Sequence, residues 1–314
     1  MRAVRNTAEG VAVVDVAAPE VGPDHVVVHV TSSGICGSDL HMLEWGPRPL
    51  TFGHEFAGTL DDGSLVAVQP GLPCGACDTC LAGNPHLCRT FFEKFHGVTI
   101  DGGLADTVAV DPRCLVPLPP GVDAAEAGLV EPLAVAVHAL NQIALEPGQR
   151  VLVIGGGTIG LASAAAAMPR GVQVDLSARH PAQQRAAEIV GAGREVGVDY
   201  DVVIEAAGSQ GALDEAVDRV RPAGTILVVG TYWSPVTLPG AILQKEARLV
   251  PATVYGEHAG EREFAAAAGL LGTIPAVADA MISHRFGLDD APEAFRVAAD
   301  RAAGAIKVVV TPRS

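Results

Sequence analysis

The sequence predicts an α/β fold in two parts, a β-rich unit followed by a doubly wound parallel sheet. Three observations predict it. From residue 11 to about residue 120, short β-branched runs such as VAVVDV (11–16) and HVVVHVTS (25–32) are punctuated by Gly, Pro and Asp, the texture of irregular β structure. From Asp123 the chain turns Ala- and Leu-rich with helical spacing, in DAAEAGLVEPLAVAVHALNQIA, and apolar runs then alternate with helices. Between the first of those runs and its helix stand Gly155, Gly157 and Gly160.

The runs VLVI (151–154), VQVDLS (172–177), DVVIEA (201–206), TILVVG (225–230) and RLVPATV (248–254) are apolar enough to be buried on both faces, as parallel strands require. After Gly256 come two Ala-rich helices and a last strand, AIKVVVT, which returns to the first unit. There is no internal repeat and no low-complexity tract. A chain of 314 residues suits two cores rather than one.

Hydrophobic residues at 49% and charged residues at 18% indicate a folded chain. The formal charge of −15, with no run of Lys or Arg, repels phosphate backbones and anionic lipid, so nucleic acid and membrane surfaces are not expected as partners. The N-terminal MRAVRNTAEGVAVVDV has no apolar core of a signal peptide, and Gly, Pro or charge breaks every apolar stretch short of a membrane span. A cytoplasmic location is expected, and in that reducing setting clustered cysteines hold metal rather than pair as disulfides.

Gly155, Gly157 and Gly160 form G-x-G-x-x-G between strand and helix. The first permits the tight turn, the second the approach of a pyrophosphate, and the third close packing of helix on strand, which is the dinucleotide-binding pattern of a Rossmann sheet. Thr158 and Ile159 within the turn, and Gly230 at a later strand end, are assigned to the cofactor with them. The second strand should end in an acid for a ribose hydroxyl, but Asp175 lies inside it and the tip reads Ala178, Arg179, His180. An arginine there suits a 2′-phosphate, favouring NADP(H) over NAD(H); a solvated surface arginine is the alternative.

Cys74, Cys77, Cys80 and Cys88 follow C-x2-C-x2-C-x7-C, with Gly75, Gly83 and Pro85 supplying turns. Four thiolates from one short loop suit a closed, structural zinc site. An iron–sulfur cluster competes on the first three spacings, but the fourth cysteine comes late and no second set follows. Cys36, His54 and one acid, Glu55 or Glu131, offer sulfur, nitrogen and oxygen with a fourth position open, the pattern of a catalytic metal.

The segments GICGSDLH, GHEFAG, CGACDTCLAGNPHLC, DGGLAD, EPLAVAVHAL and VLVIGGGTIG, in this order over nearly the whole chain, closely resemble the zinc-dependent medium-chain dehydrogenase/reductase family of alcohol, polyol and threonine dehydrogenases. The resemblance implies a GroES-like catalytic domain from both chain ends (1–131 and 257–314, with a structural zinc lobe at 74–88) around a Rossmann domain (132–256). It implies two zinc ions: a catalytic one on Cys36 and His54 with Glu131 as third ligand and Glu55 exchanging with it or with water, and a structural one on the four cysteines. Asp39 would orient His54, Ser38 would relay the proton, and His41 would carry it to solvent. Ser38 also fits an N-cap of the turn SDLHM. A homodimer or homotetramer is implied as well.

Two departures from the family stand out. GTLDDGSL (58–65) is short, and the stretch after Gly193 has lost most of a strand–helix unit near the adenosine side. Cys114 reads as a packing residue; Met42, Leu43 and Trp45 read as core or pocket wall, and Phe91, Phe92 and Phe95 as cover for a cleft or an interface. The expected activity is hydride transfer between a secondary alcohol, polyol or sugar-like substrate, or its carbonyl, and NADP(H). An NADPH-dependent reductase of activated double bonds and a non-catalytic dinucleotide sensor are the alternatives, and neither needs the open metal set.

Overall fold

The computed structural model describes residues 1–312. The chain opens with a hairpin, β1 (Arg2–Thr7) and β2 (Gly10–Asp15), and runs through the long strand β3 (Val26–Ile35). The short helix α1 (Gly37–Met42) turns it towards β4 (Glu55–Thr59) and β5 (Leu65–Val68). A protruding loop with the one-turn helix α2 (Asp78–Leu81) precedes β6 (Thr107–Val110) and β7 (Leu115–Pro117).

Helix α3 (Val130–Asn141) leads into alternating strands and helices: β8 (Arg150–Ile154), α4 (Thr158–Ala167), β9 (Gln173–Ser177), α5 (Pro181–Val190), β10 (Tyr200–Glu205), α6 (Gln210–Arg219), β11 (Val220–Val228), α7 (Ala241–Lys245) and β12 (Arg248–Pro251). A small hairpin, β13 (Glu257–His258) and β14 (Glu261–Arg262), is followed by α8 (Glu263–Thr273), α9 (Ala276–Met281), β15 (Ile282–Gly287), α10 (Ala291–Ala299) and β16 (Lys307–Thr311).

The first sheet has the order β15-β16-β3-β4-β5-β7, with β6 also pairing β3. Register decides what meets at its edge. Gly34 lies opposite Glu55 and Ile35 opposite Val308, so the end of β3, the start of β4 and the start of β16 converge although they are far apart in sequence. Gly34 is required here, because a Cβ would overlap the Glu55 carboxylate.

The second sheet is parallel throughout, in the order β12-β11-β10-β8-β9. Its five strands are the five apolar runs of the sequence, and strand order reverses between β8 and β10, where open α/β sheets bind ligands. Among the described residues only a single bridge, Asp175 to Gly193, pairs with the outer side of β9, in place of the unit missing from the sequence.

The C-terminal part is richer than expected, with a third helix, α10, and the strand β15. β15 sits at the sheet edge and pairs only with β16, so its sequence ISHRFG carries no apolar run. β15 and β16 join the first sheet, whereas α8 packs on α3 and α9 on α4 and α5. One apolar cluster runs from Phe91 and Phe95 through α3 and α4 to α8 and α9, tying the two parts together. Among the described residues, no helix is long and apolar enough to cross a membrane.

Candidate active site and metal centres

Cys36 follows β3 in extended conformation and forms the N-cap of α1. The cap is therefore Cys36 and not Ser38, and the backbone N–H of Cys36 donates to Asp39 Oδ2 at 2.8 Å. Asp39 is wholly buried, and its Oδ1 lies 3.5 Å from Nδ1 of the buried His54. One carboxylate thus faces both the cysteine and the histidine, leaving His54 Nε2 on the far side of the ring, 3.4 Å from the Ser38 hydroxyl. Gly53, at φ +95°, lets the chain reach His54, since a Cβ would press on Leu104 N and Ser33 Oγ at 2.7 Å.

Cys36 Sγ, a ring nitrogen of His54 and a carboxylate oxygen of Glu55 lie within 4.8 Å of one another. Glu131, from the first turn of α3, is buried beside them but stands outside that group. Burial first, and then the charge of Glu55, push its carboxyl up to about 7 against the pull of His54 and Lys307. Tyr255 is buried near Glu131, whose charge bears on its hydroxyl, and that hydroxyl makes no well-formed hydrogen bond among the described residues.

Sequence reasoning did not pick out Lys307. Its side chain is 2% exposed, and Nζ donates to both Glu55 oxygens, at 2.7 and 2.5 Å, and to the Ile35 carbonyl at 3.0 Å. Burial opposes its charge, but Glu55 and Cys36 outweigh that, and its pKa is raised. Three acidic groups, the half-buried thiol of Cys36 and the buried carboxyls of Glu55 and Glu131, therefore bear on one buried lysine. Buried anionic groups without countercharge are costly, so a thiol, imidazole and carboxylate set of this kind fits a divalent cation.

His41, three residues after Ser38 on α1, is half exposed and stacks on Trp233. Phe95 and Phe91 are buried, with the Phe95 ring 6.2 Å from that of His54, while Phe92 is exposed and stacked on Phe95. Met42 is buried and Trp45 exposed. Cys114 is a packing residue in a dry setting, and burial pushes its thiol up to about 12.

The four loop cysteines are free thiols within 4.8 Å of one another. Cys77 lies 3.5 Å from Cys80 and 3.9 Å from Cys88, and Cys74 lies 4.0 Å from Cys80. Zinc–sulfur bonds of about 2.3 Å in a tetrahedron place sulfurs about 3.8 Å apart, so the cluster fits that ion with little rearrangement. Thr79 and backbone amides draw the Cys77 thiol down to about 5, whereas burial and neighbouring sulfurs push Cys80 up to about 12. His86, inside this loop, packs on His138 of α3 at 4.5 Å between ring centres. His138 Nδ1 lies 2.7 Å from Glu263, which also accepts from Asn141 and from the Gly256 N–H. This buried network ties the loop to α3 and α8.

In the glycine turn, Gly155 takes φ +110° and a Cβ on Gly160 would overlap the Gly155 carbonyl. Gly157 faces open space, and as the N-cap of α4 it supplies no side-chain acceptor, so backbone N–H groups are free for an anion. Thr158 Oγ1 is committed to the Ile306 carbonyl at 3.0 Å, Ile159 is partly buried in the core, and Gly230 packs against the Gly208 backbone. At the tip of β9, Arg179 is exposed and makes no hydrogen bond or ion pair among the described residues. His180 caps α5, and Ser177 donates to Glu215 of α6 at 3.0 Å, a partner with no sequence signal. Asp175 is occupied by the Tyr200 hydroxyl at 2.8 Å.

Two family models cover the chain. One, described as alcohol dehydrogenase GroES-like domain, matches residues 22–120, and the other, glucose dehydrogenase C-terminus, matches residues 124–311. The L-galactonate-5-dehydrogenase of Escherichia coli K12 is 30% identical, over 85% of this chain and 86% of that protein. D-xylulose reductase A of Aspergillus oryzae is 29% identical, over 88% of this chain and 87% of that protein. A zinc-binding dehydrogenase from Sinorhizobium meliloti 1021, solved bound to NADP, superposes with a TM-score of 0.88 at 31% identity, over 99% of each chain.

Proposed function

Since the chain belongs to the zinc-dependent medium-chain dehydrogenase family and is an oxidoreductase, we propose that it oxidises a secondary alcohol of the polyol or sugar-acid class, or reduces the matching ketone, with NADP(H). The observation that carries this reading is the close meeting of the half-buried Cys36 with the buried His54 and Glu55 at the strand ends of the first sheet. Relatives named for L-galactonate and D-xylulose support the substrate class, and the unpartnered Arg179 supports the phosphorylated cofactor.

Cys36, His54 and Glu55 would hold the catalytic ion, with Glu131 in reserve beside them, and Cys74, Cys77, Cys80 and Cys88 a second, structural one. Zinc in the first set supplies Lewis acidity to a substrate oxygen, and nicotinamide bound at the glycine turn supplies the hydride acceptor or donor. Asp39 keeps the His54 ring in orientation from its Nδ1 side. Lys307 balances Glu55 and fixes where its carboxylate points. Ser38 Oγ takes the alcohol proton, and His41, on the same face of α1, passes it to solvent. Phe95 shields the ring of His54 from water. We assign residues 1–131 and 257–314 to the catalytic lobe and 132–256 to the dinucleotide lobe, with α8 and α9 at the seam.

The test is absorbance at 340 nm with a panel of polyols and sugar acids against both nicotinamide cofactors. Turnover with NADP, abolished by a chelator that leaves the circular dichroism unchanged, is expected. Turnover of these alcohols that survives complete metal removal would contradict the reading.

A further inference from the structure

We propose that Trp233 is a positioning residue for His41: an aromatic platform carried by the dinucleotide lobe that fixes the plane of an imidazole carried by the catalytic lobe. The proposal rests on the reading of His41 as the proton carrier. The two rings stack with centres 4.2 Å apart and planes inclined by 22°. His41 belongs to α1, beside the first sheet, and Trp233 to the loop that follows β11 of the second. The stack therefore bridges the two lobes next to Ser38.

The loop is built to present this ring. At its root Gly208 and Gly230 lie back to back, and a Cβ on either would overlap the other loop's backbone, so the two strand ends are locked together. Glu205, at the end of β10, accepts at Oε1 from the N–H groups of Ala207 and Gly208, at 2.9 and 2.7 Å. Its buried Oε2 is close enough to the buried hydroxyl of Tyr232 to act on it electrostatically, and neither atom has a well-formed hydrogen-bond partner among the described residues. Tyr232 is thus turned inward, and its neighbour Trp233 is turned out, 47% exposed.

Trp233 belongs to none of the apolar clusters, and its ring contact among the described residues is the stack with His41. A half-exposed histidine on a short helix samples several rotamers. A ring stacked on one face removes most of them and leaves the nitrogens at the edges free to exchange protons. Among the described residues the ion-pair contact of His41 is with Glu44, three residues on and 4.0 Å from Nδ1, so no salt bridge from a distant element competes with the stack.

The experiment compares Trp233→Ala, Trp233→Phe and His41→Leu in the full-length, metal-loaded enzyme. Trp233→Ala is expected to lower kcat about tenfold, a fraction of what a positioned proton carrier contributes, with the KM for alcohol within about twofold and the unfolding midpoint unchanged. Trp233→Phe should restore most of the rate, since a second aromatic ring rebuilds the platform. The chain has 2 tryptophans, so in a Trp45→Phe background emission comes from Trp233 alone, and His41→Leu should raise it by removing the stacked imidazole. Full turnover in Trp233→Ala beside a slow His41→Leu overturns this proposal alone. Unchanged emission in His41→Leu does the same. Full turnover in His41→Leu overturns the relay reading and the proposal with it.

Discussion

Lys307 sits at the centre of the site's charge balance. Its ammonium is the cation that two Glu55 oxygens touch directly, and both partners of this ion pair are buried. Replacing it by Met leaves Glu55 buried without its ion-pair partner, which typically costs about 3–5 kcal/mol. Lys307→Met is expected to lower the urea midpoint by a corresponding amount, and a midpoint unchanged from wild type would show that the pair contributes nothing. Ser38→Ala is expected to cut turnover about 100-fold near neutral pH while leaving metal content at the wild-type value, the size of effect expected of a positioned proton carrier. At this scale the sequence exposed Cys36, His54 and Glu55 because short motifs carry them. It hid Lys307, which lies 252 residues from Glu55 in what reads as an ordinary strand. The residues alone left the third ligand open between Glu55 and Glu131, and register at the start of β4 brings Glu55 within 4.8 Å of the other two.

Among the elements, the cysteine loop and the pair α3 and α8 behave as one unit. His86 packs on His138, and His138, Asn141 and the Gly256 N–H converge on Glu263. Burial pushes the Glu263 carboxyl up, but these three partners outweigh it and hold the group below its ordinary value. A depressed folded value means that the stabilisation is complete above the ordinary carboxylate range and is lost as pH falls through it towards the folded value. Glu263→Gln should therefore cost about 1.5–3 kcal/mol at pH near 7, with the gap from wild type closing below about pH 4. A gap independent of pH would mean that shape rather than charge holds the network. The second sheet was legible strand by strand, because burial on both faces leaves uninterrupted apolar runs. β15 was not legible, since an edge strand with one partner needs no such run, and the network escaped because its members meet only after folding.

For the molecule as a whole, the decisive feature is that both chain ends build the first sheet while the middle builds the second, with one continuous apolar cluster joining the two parts. On a surface with net charge −15, an exposed arginine with no carboxylate partner beside that turn is a distinct positive point. Arg179→Ala is expected to raise the KM for NADPH at least tenfold and to leave that for NADH within about twofold. Equal changes for both cofactors would remove the 2′-phosphate from the account. The measurement that tests the central claim most directly is metal analysis of wild type and Cys36→Ser, paired with turnover. Two zinc ions per chain in wild type, one in Cys36→Ser, and no alcohol oxidation by the variant are predicted. Undiminished zinc and undiminished turnover in Cys36→Ser would contradict it.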